Sequence, residues 1–97
     1  MTYYVDIDNT ICLTLGNNYE QAVPIQENIE KINKLYKAGH KIIYWTARGS
    51  TSGIDFSSLT RQHLFNWGCL FTDLKMGKPS FDFIIDDRAL KIEELNG

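Results

Sequence analysis

The sequence has few of the features that mark secreted, membrane-embedded or disulfide-rich proteins. It contains two cysteines, Cys12 and Cys69, which lie far apart and form no Cys-x-x-Cys pattern. A disulfide-stapled scaffold would need more, so we expect two reduced thiols in a cytoplasmic protein. No apolar run is long enough to span a membrane. Asp6 and Asp8 stand where a signal peptide would need a basic start and an apolar run, so we expect none.

Charge of either sign is also not in excess. The formal net charge is −2, so there is no basic surplus to promote nonspecific binding to nucleic acid. The hydrophobic fraction is 43% and the charged fraction 23%, both ordinary for a globular domain. The length of 97 residues predicts a single domain, residues 1–97.

Residues 3–10, Tyr-Tyr-Val-Asp-Ile-Asp-Asn-Thr, are the most informative stretch. The aromatic and β-branched start predicts a buried strand. Asp6 and Asp8 follow, and along a strand their side chains would point the same way. Two carboxylates this close repel each other, so a cation such as Mg²⁺ suits the pair. Taken alone, the pattern fits equally well a strand end whose acids cap a turn.

Strand and helix patterns alternate along the rest of the chain. Residues 11–23 fit either a small flap hairpin around Gly-Asn-Asn or an irregular loop. The order predicts a parallel sheet with helices on its faces. The predicted helices are 24–38, 56–67 (beginning at 55 or 56) and 89–95, and the predicted strands after the first are 41–46, 69–72 and 81–85.

Three of these strands end in polar groups, which the carboxyl edge of a parallel sheet would bring together. The groups are the Asp6/Asp8 pair, Thr46 and the Asp86/Asp87 pair. The lysine-containing loop at 75–78 could fold back over the same edge. Four acids without a cation would be strongly unfavourable. A bound metal ion would offset this repulsion, and a phosphate would accept hydrogen bonds from the lysine and the backbone N–H groups.

The loop after the second predicted strand, Thr-Ala-Arg-Gly-Ser at 46–50, suits a phosphate oxygen. The Thr46 hydroxyl and free N–H groups such as that of Ala47 would be its donors, although an ordinary polar loop is the alternative. Arg48 is either a contact to a substrate anion or a surface arginine. His63 is expected to be packed or half-exposed rather than catalytic.

Together these stretches resemble the four motifs of the haloacid dehalogenase (HAD) superfamily. Residues 6–10 resemble its first motif, Asp-x-Asp-x-Thr/Val, and 42–46 resemble its second, an apolar strand ending in Thr or Ser. Lys78 in Gly-Lys-Pro resembles its third, and Ile-Ile-Asp-Asp at 84–87 resembles its fourth. Each is weak alone, but all four occur in order across nearly the whole chain. The resemblance implies an α/β, three-layer Rossmann-like parallel sheet with helices on both faces and no cap domain.

The resemblance also implies a Mg²⁺-dependent phosphomonoester hydrolase. Asp6 would attack phosphorus and form an aspartyl-phosphate, and Asp8 would act as general acid and then as base. Lys75 competes with Lys78 for the phosphate, and the Gly-Lys-Pro setting favours Lys78. The implied metal ligands are Asp6, Asp8 (through its carbonyl), Asp86 and Asp87, and the implied phosphate-binding residues are Thr46, Ala47 and Lys78.

The substrate is suggested by a narrower resemblance. Thr-Ala-Arg-Gly at 46–49 and Ile-Asp-Asp-Arg at 85–88 are similar to small members in capsule or surface polysaccharide biosynthesis, which implies a sugar phosphate. Polynucleotide phosphatase domains share Ile-Asp-Asp-Arg, but the acidic net charge disfavours a nucleic-acid end. A non-catalytic module that binds Mg²⁺, phosphate and a partner is a third alternative. Capless members act on bulky substrates or complete their site with a neighbouring subunit, which leaves a homo-oligomer open.

Overall fold

The computed structural model describes residues 1–96, and its helices and strands are short. Two 3-10 helices, Tyr19–Gln21 and Ile92–Glu94, accompany the longer elements. No helix within this range is both long enough and apolar enough to cross a membrane. The strands are β1 (Thr2–Val5), β2 (Cys12–Leu13), β3 (Val23–Pro24), β4 (Lys41–Trp45) and β5 (Asp73–Lys75), and the helices are α1 (Gln26–Lys37) and α2 (Ser57–Asn66).

Strands β1, β4 and β5 form a parallel sheet in the order β1–β4–β5, which confirms the predicted parallel α/β core. In its register, Val5 lies opposite Tyr44, and Tyr44 lies opposite Leu74. Strands β2 and β3 pair antiparallel, so residues 11–23 contain the flap hairpin and not an irregular loop. The hairpin follows Asp6 and Asp8 directly and returns the chain to α1.

The amphipathic pattern of 24–38 produces α1 as predicted. Ile29 and Ile32 lie on one side of the helix and are buried at 1% exposure each. Glu27 lies in the first turn and Lys34 and Lys37 lie in the last, which complements the helix dipole. The helix therefore packs one apolar side on the sheet and leaves its charged side to solvent.

Both helices pack on the same face of the sheet. The crossovers β1–α1–β4 and β4–α2–β5 advance in one direction, and right-handed crossovers then place both helices on one side. The other face carries Tyr4, which is 54% exposed, Trp45 and Lys75. Within residues 1–96 both helices lie on this one face, and the three-layer arrangement with helices on both faces stays an expectation. The shared core includes Val5, Ile29, Ile32, Ile42, Tyr44, Leu64 and Leu74.

The third strand lies later than the predicted 69–72. Asn33 on α1 donates from Nδ2 to the Gly68 carbonyl (2.9 Å) and accepts the Leu70 N–H (2.8 Å), which holds this segment beside the helix. The chain meets β4 only at Thr72, whose N–H donates to the Ile42 carbonyl at 2.8 Å. Strand β5 begins one residue later, at Asp73, because the chain does not come within hydrogen-bonding distance of β4 before Thr72.

The predicted strand 81–85 and helix 89–95 are wrong for this structure. Residues 79–91, which we call the arm, are all exposed and contain no helix or strand. Ile92–Glu94 form only a 3-10 turn, with Ile92 and Leu95 packed against the core. The physical reason is chain length: a parallel crossover needs about a dozen residues or more, but only 76–80 separate β5 from Phe81.

Candidate functional site

Asp8 is the most firmly held acid at the carboxyl edge of the sheet. Arg48 donates to it twice, from Nη2 to Oδ1 at 2.9 Å and from Nε to Oδ2 at 3.0 Å. The Thr14 hydroxyl donates to Oδ1 at 2.7 Å. Burial raises the pKa of Asp8, but the Arg48 ion pair and the Thr14 hydrogen bond together outweigh burial and hold the pKa below its usual value. Asp8 is therefore ionised at neutral pH.

Arg48 is buried, so its interpretation as a surface arginine was wrong. Its side chain is 0% exposed. Nη1 donates to Thr60 Oγ1 at 3.2 Å and lies 3.0 Å from His63 Nδ1, while the guanidinium carbon lies 5.0 Å from the ring centroid of Tyr19. Burial, and next the Arg48 charge, lower the pKa of His63, so the neutral ring can accept this hydrogen bond. The guanidinium is committed to protein partners and not to solvent.

The partners of this ion pair were not recognised from the sequence. Thr60 and His63 are three residues apart on α2, a spacing that places them on one face of the helix. Two polar side chains on an otherwise apolar helix face were a usable signal for a buried polar partner. Thr14 gave no such signal, because its position depends on how the β2–β3 hairpin returns beside Asp8.

Asp6 has a more open environment than Asp8. Its side chain is 38% exposed, and Lys78 Nζ lies 3.2 Å from Oδ1. The Thr10 hydroxyl donates to Oδ2 at 3.1 Å, from a turn in which the Thr10 and Ile11 N–H groups donate to the Ile7 carbonyl. Asp6 thus presents an oriented carboxylate beside a cation and open to solvent. A carboxylate that is open to solvent in this way can be reached by the phosphorus of a phosphate ester.

The structure separates the two candidate lysines. Lys75 Nζ donates to the Tyr4 hydroxyl at 3.2 Å, on the face of the sheet without helices. The Lys78 N–H donates to the Thr46 carbonyl at 3.0 Å, which places this residue at the carboxyl edge. Its ammonium lies 5.8 Å from the ring centroid of Trp45 and 5.3 Å from that of Phe81. Of the two, Lys78 is the lysine beside Asp6.

Thr46 and Ala47 follow β4 at the same edge. Thr46 is only 1% exposed, and its Oγ1 accepts the Arg48 N–H at 3.1 Å. The Ala47 N–H has no hydrogen-bond acceptor among residues 1–96. A shallow pocket of about 160 Å³, lined in part by Gly49, Ser50 and Gly77, opens next to this loop. Ala47 therefore offers the more accessible donor for a phosphate oxygen, and the Thr46 hydroxyl lies behind it.

The structure does not bring Asp86 and Asp87 to the other acids. Both lie on the exposed arm, where the Arg88 N–H donates to Asp86 Oδ1 at 3.0 Å and lowers the pKa of that carboxyl. Across the described 96 residues, no three His, Cys, Asp or Glu side chains lie close enough together to hold a metal ion. Asp6 and Asp8 are each paired with a basic side chain instead. Within residues 1–96 of one copy, Asp6 and Asp8 lie at the sheet edge and Asp86 and Asp87 lie on the arm, so the four predicted Mg²⁺ ligands are not gathered at one place.

Comparison with known proteins identifies the fold alone. No family model and no curated protein matches the chain. Among solved structures, the crystal structure of a Vibrio cholerae protein that carries no functional name matches with a TM-score of 0.87 at 24% identity. The match covers 96% of this chain and 85% of the Vibrio cholerae chain. The similarity supports the small Rossmann-like α/β fold and leaves the function to be argued from the site.

Proposed function

We propose that the protein is a Mg²⁺-dependent phosphomonoester hydrolase of the HAD type, with Asp6 as the nucleophile. The observation that carries this proposal is the open Asp6 carboxylate with Lys78 Nζ at 3.2 Å, at the carboxyl edge of a parallel sheet. The oxygens of a phosphate bound there would accept hydrogen bonds from the Lys78 ammonium and the Ala47 N–H, and its phosphorus would face the Asp6 carboxylate. The three-layer HAD arrangement belongs to the same proposal.

The proposed reaction has two steps. In the first, an Asp6 oxygen attacks phosphorus, the bond from phosphorus to the leaving oxygen breaks, and the released alcohol takes up a proton. In the second, a water oxygen attacks phosphorus and gives up a proton, and the bond to the Asp6 oxygen breaks. Phosphate leaves, and the Asp6 carboxylate is restored. Mg²⁺, when bound, would neutralise charge on the phosphoryl oxygens.

Asp8 would accept and donate the protons of the two steps, and its ion pair with Arg48 keeps it in the ionised form. A carboxylate with a lowered pKa can take the proton from the attacking water in the second step. The same carboxylate is a poor proton donor to the leaving group in the first step. We therefore expect faster turnover of esters with acidic leaving groups, such as p-nitrophenyl phosphate, than of alkyl phosphates while the ion pair is intact.

Hydrolysis of p-nitrophenyl phosphate, with and without Mg²⁺, tests the proposal. Asp6→Asn keeps the shape of the side chain but removes the nucleophile, so kcat should fall by at least about 1,000-fold. Asp73→Asn is the matched control, because Asp73 is an exposed carboxylate on β5 away from the edge, and its activity should stay within about twofold of the parent. An Asp6→Asn variant that retains activity would refute the nucleophile assignment.

A non-catalytic phosphate-binding module is the second candidate. The separation of Asp86 and Asp87 from Asp6 favours it, because one copy lacks the full set of acids. This alternative predicts that inorganic phosphate raises the Tm while no phosphomonoester is turned over. A panel of sugar phosphates and phosphorylated oligonucleotides separates the candidates and tests the sugar-phosphate expectation at the same time.

A further inference from the structure

The outer edge of β1 has no strand beside it. The sheet order β1–β4–β5 leaves β1 paired on one side only, and no other strand within residues 1–96 covers the opposite side. An edge strand presents unpaired N–H and C=O groups that template pairing with a further strand. This edge also leads directly into Asp6 and Asp8, so a strand added here would end at the candidate site.

The arm has the sequence of the strand that this edge lacks. Residues 81–85 read Phe-Asp-Phe-Ile-Ile, a composition typical of a strand. Phe83 is nevertheless 90% exposed and Ile85 is 100% exposed. Native proteins cover or interrupt such segments, because an exposed apolar strand invites aggregation. The arm is therefore expected to have a partner.

The arm cannot pair in parallel with β1 of its own copy. It starts at the carboxyl edge, where the Lys78 N–H donates to the Thr46 carbonyl. Lys41, at the amino end of β4, lies five residues before Thr46, a rise of about 16 Å. From Lys78 to Phe81 the chain makes three Cα steps and reaches about 11 Å at most. An antiparallel pairing within one copy is reachable, but it would carry Asp86 toward the amino edge and away from Asp6.

A second copy removes this obstacle. If a twofold axis runs perpendicular to the strands, β1 of the second copy runs opposite to β1 of the first copy. The amino end of the second β1 then lies on the side of the sheet edge from which the arm of the first copy leaves. From β4 the arm then crosses three strand spacings, about 14 Å, which the four Cα steps from Lys78 to Asp82, about 15 Å at most, can span. We propose that two copies of this chain exchange arms, each arm pairing in parallel with β1 of the other copy. The two sheets then join in the order β5–β4–β1–arm–arm–β1–β4–β5.

The exchange preserves the contacts of the single copy and adds new ones. Ile92 and Leu95 pack beside α1, but a cavity of about 410 Å³ remains between that helix and the segment 93–96. In the exchanged dimer the same residues pack on α1 of the other copy. On the core-facing side of each arm Phe81, Phe83 and Ile85 are 46%, 90% and 100% exposed, so covering them would bury roughly 400 Å² per arm. Two arms then bury on the order of 1,000 Å², the size at which specific interfaces begin.

The exchanged arm would also complete the candidate site, and this part rests on the proposed function. We take the register that sets Phe83 and Ile85 level with Tyr3 and Val5 of the other copy, which strand alternation allows, and Asp86 then comes level with Asp6. Each site would then contain Asp6 and Asp8 of one copy with Asp86 and Asp87 of the other. Two copies together supply the acid set that one copy does not.

Cross-linking tests the exchange without any need for activity. In the double variant Tyr4→Cys/Ile84→Cys, a short bismaleimide should join the two positions between chains. The expected product is a covalent dimer on a denaturing gel, from a protein that has twice the mass of one chain by light scattering. The parent and the two single variants are controls, since native Cys12 and Cys69 are buried. A link within one chain, a monomeric mass, or a dimer that does not cross-link would each overturn the proposal.

Mixed dimers then test the shared site. Asp6→Asn chains and Asp86→Asn/Asp87→Asn chains are expected to be inactive when each is pure. After they are unfolded and refolded together, half of the dimers contain both kinds of chain, and each of these has one intact site, so about a quarter of the parent activity should return. If the cross-link forms but no activity returns, the interface stands and the composite site is wrong. If the parent itself shows no turnover, the proposed function fails and the cross-linking result is unaffected.

Discussion

At the scale of single residues, two ion pairs at the same edge differ in kind. The Asp8–Arg48 pair is bidentate, with side-chain exposures of 20% and 0%, whereas the Asp6–Lys78 pair has exposures of 38% and 15% and one contact at 3.2 Å. A buried pair cannot lose one partner without leaving an uncompensated charge, while an exposed pair can. The first pair therefore belongs to the framework of the site, and the second is free to open for a ligand.

Asp8→Asn should lower the free energy of unfolding by about 3 kcal/mol at pH 7, because Arg48 would remain charged and buried without its partner. Asp6→Asn is the matched control, and its partially exposed ion pair should cost no more than about 1 kcal/mol. Urea denaturation followed by circular dichroism measures both values. Equal losses in the two variants would contradict the distinction between the pairs.

The difference between the parent and Asp8→Asn should also depend on pH. The folded-state pKa of Asp8 lies below its usual 3.8, so the stabilisation is complete above about pH 4 and declines as the pH falls through the lower folded-state pKa. The two proteins should therefore converge in stability below this range. Urea midpoints between pH 2.5 and 7 measure the convergence, and a constant difference would show that Asp8 stabilises the fold by another route.

At the scale of elements, the loop from β4 to α2 is shaped by Gly49. This residue has a φ of +80°, and a Cβ added to it would overlap the Ile54 carbonyl and approach the Phe56 ring at 3.3 Å. The Gly49 carbonyl also accepts the Gly53 N–H at 2.9 Å, which closes the turn. The loop carries Ala47 and Arg48, so its shape sets the position of a phosphate donor and of the buried cation.

Gly49→Ala should destabilise the protein by about 3 kcal/mol, from the left-handed backbone together with the overlap. Gly53→Ala is the control: its φ is +76°, but no atom lies within 4 Å of the added Cβ, so about 1 kcal/mol is expected. Chemical denaturation of both variants separates strain from overlap. The overlap argument would be wrong if the two substitutions cost the same.

The sequence predicts those elements whose causes are local. Helix α1 follows from its own apolar spacing, and β1 and β4 follow from short apolar runs that end in polar residues. The displacement of β5 depends on Asn33, a residue of α1 distant in sequence, and the burial of Arg48 depends on α2. The strand at 81–85 was predicted from composition that is correct for a strand. Composition does not include the length of the connection between β5 and this segment. That connection is too short for the segment to pair in parallel with β1 of its own copy.

At the scale of the whole molecule, residues 1–96 place both helices on one face of the sheet, leave the outer edge of β1 unpaired next to the site and expose an apolar arm. These features are related, because the connection after β5 is too short to hold a crossover helix or to return the chain beside β1, so the arm leaves the sheet. A two-copy assembly would satisfy the edge and the arm together. Activity that needs both copies would then depend on the protein concentration.

Phe83→Lys should weaken the dimer by at least about 100-fold in Kd and make the specific activity rise with protein concentration, because a lysine would replace an apolar side chain in the paired arm. Phe65→Lys is the matched control: Phe65 lies on α2 and is 83% exposed, close to the 90% of Phe83, yet it is outside the arm. Neither change removes a buried contact within one copy, so far-UV circular dichroism should match the parent in both. Light scattering and p-nitrophenyl phosphate turnover across a concentration series measure the effect. If Phe83→Lys and Phe65→Lys have the same mass as the parent at every concentration, the arm does not hold the copies together.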